Sequence, residues 1–143
     1  MASILKVDEL QGITSAGDIT VTSEGGAATQ SLQQGLAKAW NFFDGTAGTI
    51  AYADSFNCST FQDLGVGSYA YSLTNSMSNS NFSFVGTQVP AQGNFGLLSG
   101  TETSGTYART TSYSGRFFGS NAASINSGAD AYSISTTIHG DLA

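Results

Sequence analysis

From Lys38 to Thr87 the chain reads KAWNFFDGTAGTIAYADSFNCSTFQDLGVGSYAYSLTNSMSNSNFSFVGT, with aromatic residues alternating with small polar ones. A period of two puts successive side chains on opposite faces of an extended strand. Trp40 and Phe42 therefore share one face, and Ala39, Asn41 and Phe43 share the other. Asp44-Gly45, Ala47-Gly48 and the stretch Gln62–Gly67 punctuate the pattern as turns. Ile50 and Tyr52 face one way in the next strand, and Phe56 and Cys58 continue a strand past Asp54-Ser55. Tyr69, Tyr71 and Leu73 alternate in another, and Phe82 and Phe84 follow the polar connection 75–81. Four or five short strands joined by tight turns are written this way.

Beyond Thr87 the alternation loosens. Residues 90–94 (PAQGN) read as a loop, and Phe95, Leu97 and Leu98 as a short strand. Tyr107, Arg109, Thr111 and Tyr113 fall on one face of a further predicted strand, and 119–129 (GSNAASINSGA) reads as a loop. The last segment is the most regular. Tyr132, Ile134, Thr136 and Ile138 alternate with Ser133, Ser135, Thr137 and His139, as a half-buried antiparallel strand requires. Seven to nine short strands at this spacing predict a mainly β fold, an antiparallel β-sandwich or jelly-roll-like domain over residues 37–143.

Residues 1–36 differ. Ile4 to Val7 reads as a short strand, Asp18 to Thr22 alternates, and 23–30 (SEGGAATQ) has the composition of a flexible connector. Ser31 is a candidate N-cap for a short helix to Ala39, with Leu32 and Leu36 one turn apart. So few apolar residues cannot build a core. Ile4, Leu5, Val7, Leu10 and Ile13 would stay uncovered unless the segment docks on another protein or a sister subunit.

Composition sharpens this picture. The chain has 143 residues, of which only 10% are charged, against about 25% in ordinary domains. A surface so poor in charge suits solvation by hydroxyls and amides, or cover by neighbouring subunits. Net charge is −6, and the four basic residues (Lys6, Lys38, Arg109 and Arg116) are scattered, which argues against nucleic acid and acidic membranes as partners. Cys58 is the sole cysteine and reads as a small packed hydrophobe in a chain made in a reducing cytoplasm. MASILKVDELQ has no basic n-region followed by an apolar run, and no apolar stretch approaches the length of a membrane span.

No constellation for chemistry emerges. A Ser-His-Asp triad would have only His139 as its base, on the polar face of the last strand. One histidine and one cysteine offer no metal-ligand spacing, and the carboxylates are dispersed. Residues 65–70 (GVGSYA) match a dinucleotide fingerprint formally, but alternating aromatics follow where a helix must start. The Asn-Xaa-Ser triplets at Asn57 and Asn81 are discounted as chance matches. The expectation is a protein without enzymatic activity, cofactor or metal. Tyr107, Arg109, Tyr113 and Arg116 are the candidates for a surface that recognises protein or glycan, since aromatics and arginine anchor interfaces.

The residues GLAKAW (35–40), NFFDGTAGT (41–49), ADSFN (53–57), GVGSYAYSLTNSM (65–77) and NFSFVG (81–86) resemble a recurring module in virion structural and tail-fibre-like proteins of marine bacteriophages. The opening MASILKVDELQ is also similar to the start of such proteins. Ala53 stands where that family often has Arg, and Ser78 where it often has Pro; both positions bear on local turns. The resemblance implies a virion component assembled in the host cytoplasm, homotrimeric and not an enzyme. Its N-terminal arm (Ile4, Leu5, Val7, Leu10, Ile13) would attach it to other virion proteins. A tail-fibre or tail-appendage protein contributing to attachment at a host receptor or glycan is the leading expectation. A capsid-decorating or head-fibre protein is the alternative.

Overall fold

In a computed structural model the structure describes residues 5–15, 19–22, 25–91, 96–99, 102, 104–121 and 124–143. The chain divides into two compact units, 1–36 and 37–143. In the first, β1 (Thr20–Thr22) pairs antiparallel with β2 (Thr29–Ser31). Ser31 then caps α1 (Leu32–Gly35), its hydroxyl accepting from Gln34 N at 3.4 Å. The helix stops after one turn because Leu36 is extended, well short of the expected Ala39. The strand expected over Ile4–Val7 is not formed at residues 5–7, and Ile4 and Asp18 lie outside the described residues.

The second unit is all β among its described residues. Its strands are β3 (Ala39–Phe43), β4 (Tyr52–Phe56), β5 (Cys58–Gly65), β6 (Ser68–Leu73), β7 (Ser83–Pro90), β8 (Gly96–Ser99), β9 (Phe117–Asn121), β10 (Ser124–Gly128) and β11 (Ala131–His139). One sheet runs β4-β3-β11-β7; the other runs β10-β9-β6-β5, with β8 paired to β9. All their ladders are antiparallel.

The core is mostly aromatic. Phe43 from the first sheet meets Phe61 and Tyr69 of the second edge-on, at centroid distances of 4.7 and 5.2 Å. Phe117 packs against Tyr71 and Phe84 at 6.0 and 5.1 Å. Edge-to-face pairs of this kind add about 0.5–1.5 kcal/mol each beyond the area they bury. Ala39, Ile134 and Ile138 complete the inner face of the first sheet.

A polar chain threads this core. Thr136 Oγ1 donates to Asn41 Oδ1 at 3.0 Å, so the Tyr71 hydroxyl, 3.0 Å from Thr136 Oγ1, is the donor in that second bond. Asn41 Nδ2 reaches Cys58 Sγ at 3.7 Å. The amide and hydroxyls of this chain of bonds are tolerated inside because they are partnered.

Several sequence expectations are corrected. Phe56 and Cys58 do not belong to one strand. Asn57 takes φ 55° and turns the chain from the first sheet to the second. Its amide donates to Lys38 O and Asn75 O, and Asn75 N donates to its Oδ1 at 2.6 Å, which pins the corner. Tyr132 does not share the buried face of β11. A bulge between Ala131 and Ser133 puts Ala131 in the core and turns Tyr132 outward. Residues 119–129 are not one loop, because most of them lie in β9 and β10. The strand expected through Tyr107–Tyr113 is instead a run of turns with isolated bridges at Thr110 and Tyr113.

Candidate interaction surfaces

The register of β4-β3-β11-β7 places two sets of side chains back to back. Pointing inward are Ala39, Asn41 and Phe43 on β3, with Ile134, Thr136 and Ile138 on β11, all buried. Pointing outward, one row crosses all four strands as Val85, Thr137, Trp40 and Phe56. The next row is Thr87, Ser135, Phe42 and Asp54, and Val89 with Ser133 begins a third. Trp40, Phe42, Phe56, Val85 and Val89 are 36%, 44%, 51%, 56% and 57% exposed. Asp54, on the outermost strand β4, is the one charged residue of the two full rows. His139, the triad candidate, ends β11 opposite Ser83, half-buried.

The predicted docking residues are exposed where they are described. Leu5, Val7, Leu10 and Ile13 all present their side chains to solvent in a segment with no helix or strand, and Ile4 lies outside the described residues.

The four predicted recognition residues are brought together, but mainly against their own chain. Arg116 Nη2 pairs with Glu102 Oε1 at 2.7 Å, and its guanidinium lies over the rings of Tyr107 and Phe118 at 5.1 and 4.8 Å. Arg109 donates to Phe82 O at 3.0 Å and covers the Phe82 ring. The Tyr113 hydroxyl donates to Gln62 Oε1 at 2.9 Å, and partial burial pushes its pKa up. Backbone bonds from Glu102 N to Arg116 O, Arg109 N to Glu102 O and Arg116 N to Tyr107 O tie the segment into a knot. Gly115, at φ 77°, sits where a Cβ would press on Glu102 O and Arg109 N at 2.8 and 2.9 Å. Glu102 had no signal in the sequence, since its partner Arg116 is fourteen residues away.

Three core-facing tyrosines and the cysteine resist ionisation. Burial pushes the Tyr52, Tyr69 and Tyr71 hydroxyls well above the usual tyrosine range. At Tyr69 the hydrogen bond to Asp130 Oδ1, 2.9 Å long, acts in the same direction. Burial also raises the Cys58 thiol, so the thiolate that a nucleophile needs is disfavoured. Among the described residues no group of three or more His, Cys, Asp or Glu is placed to hold a metal ion. No helix among them is long and apolar enough to cross a membrane.

No protein-family model, curated protein or solved structure matches this chain.

Proposed function

We propose that this chain is a non-enzymatic structural component of a bacteriophage virion, a tail-fibre or tail-appendage protein that docks through residues 1–36. The observation that carries the reading is the exposure of Leu5, Val7, Leu10 and Ile13, apolar side chains along a segment without helix or strand. Such a segment gains its order, and covers its apolar residues, by lying on another surface. The resemblance of residues 38–87 to phage structural proteins supports the same reading. Those residues supply β3 to β6 and much of β7, the scaffold of the sandwich. In this reading the protein acts as a homotrimer on the particle, and the face around Tyr107, Arg109, Tyr113 and Arg116 meets a host receptor or glycan.

Imaging intact particles with the protein labelled tests the proposal. Copies on the tail are expected. Copies on the capsid would replace the tail role by capsid decoration, and absence from particles would overturn both. Removal of residues 1–30 is expected to abolish particle attachment while leaving the β circular-dichroism signal of residues 37–143 intact.

A further inference from the structure

We infer that the outer face of the β4-β3-β11-β7 sheet is a self-association surface, covered by the same face of a second copy of this chain. The inference shares only self-association with the reading above: a same-face contact is two-fold and pairs copies, whereas a homotrimer needs a separate, heterologous contact.

Three observations converge. The first is area. Aromatic side chains bury 150–250 Å² each, so Trp40, Phe42 and Phe56 at their observed exposures offer roughly 200–330 Å², and Val85 and Val89 add to it, a sizeable share of the ~800 Å² per partner in a standard interface. Trp40, Phe42 and Phe56 adjoin across β3 and β4, and exposed apolar clusters of this kind mark interaction sites on folded proteins.

The second is charge. The chain carries −6 overall, so two copies repel each other where carboxylates lie on the contact. The two full rows of this face hold only Asp54, at the sheet edge. A strongly charged partner finds only Asp54 here to pair with, whereas an identical face meets almost no charge.

The third is relief. The rows are flat β surface in which Trp40, Phe42 and Phe56 stand on β3 and β4, while small Ser135 and Thr137 occupy β11 between them and Val85 on β7. A ridge of aromatics beside a trough of small hydroxyl residues is self-complementary. Turned about a two-fold axis, the ridge of one copy meets the trough of the other, as an isologous contact requires.

The test is sedimentation velocity of the full chain across a dilution series, with Trp40 fluorescence recorded alongside; the chain has only this one tryptophan. Association is expected, with the emission blue-shifted and shielded from acrylamide as oligomer forms. Trp40→Lys and Phe56→Lys should each weaken association by about tenfold or more, the effect of removing an interface anchor. Val66→Lys, at an exposed site on the β5–β6 turn, should leave it unchanged. Circular dichroism of each variant separates loss of contact from loss of fold. An associating chain whose affinity is unmoved by both face variants would overturn the inference while leaving self-association standing. So would one that dissociates only on Leu5→Lys or Val7→Lys, which would make the arm the contact. A chain that stays monomeric throughout would overturn the inference and the oligomeric part of the proposed function together.

Discussion

The two faces of the β4-β3-β11-β7 sheet come from the same strands and both carry large apolar side chains, yet they meet different surroundings. Inward, Phe43, Ile134 and Ile138 are sealed against the aromatics of the second sheet. Outward, Trp40, Phe42 and Phe56 stand open. On β3 the larger aromatic pair lies outside, and Ala39 and Asn41 lie inside. Hydrophobicity alone would reverse that choice. On that inner face Phe43 already meets Phe61, Tyr69 and Phe117 of the opposite sheet. Asn41 is retained inside because its amide is bonded to Thr136 and Cys58. An outer face assembled from leftover aromatics is therefore a surface with work to do elsewhere.

The sharpest way to break this contrast is substitution on either side of β3. Phe43→Ala should cost about 3–5 kcal/mol in urea unfolding, because it removes a ring from a packed core. Phe42→Ala, one residue away, should change the stability of the isolated subunit by less than about 0.5 kcal/mol. Equal effects would show that the outer face is covered within the subunit.

Thr136→Val tests whether the inner face needs its polar thread. It keeps the shape and strands the Tyr71 hydroxyl and the Asn41 carbonyl, so a loss of about 1–3 kcal/mol is expected by the same measurement. No loss would mean that water reaches those groups. Gly67→Ala probes the second sheet. Gly67 has φ 63°, and a Cβ there would run into Ala129 N and Gly119 O, so a loss of about 1–3 kcal/mol should follow.

A smaller effect should appear with pH. The Cys58 thiol and the Tyr52, Tyr69 and Tyr71 hydroxyls all have folded values raised above their ordinary values of 9.0 and 10.0. In the unfolded chain they ionise first, so their contribution is fully present below pH 9 and is lost as pH rises through the folded values. Thermal midpoints should therefore hold flat near neutrality and fall in alkali. Cys58 should react with iodoacetamide more slowly in the folded chain than in urea.

Much of this architecture was legible along the chain. The strands at Trp40, Tyr69, Phe84 and Ile134 were readable because alternation is a local property, enforced by the pleat of the backbone itself. The Ser31 cap was readable for a similar reason, since a cap and its helix are neighbours in sequence. The arm residues stood out because no other apolar residues lay near enough in sequence to cover them. The knot around Arg116 was legible only in part, because Glu102 reaches it through turns from fourteen residues away. The strands β9 and β10 were missed because Gly, Ser, Asn and Ala carry no contrast between faces; their pairing is a fact about partners.

Period two establishes by itself that Trp40 and Phe42 lie on one side of β3 and that Asn41 and Phe43 lie on the other. It is symmetric between those sides and cannot say which one is covered. The tertiary structure decides that, along with the corner at Asn57 and the bulge that turns Tyr132 outward. Each depends on partners distant in sequence.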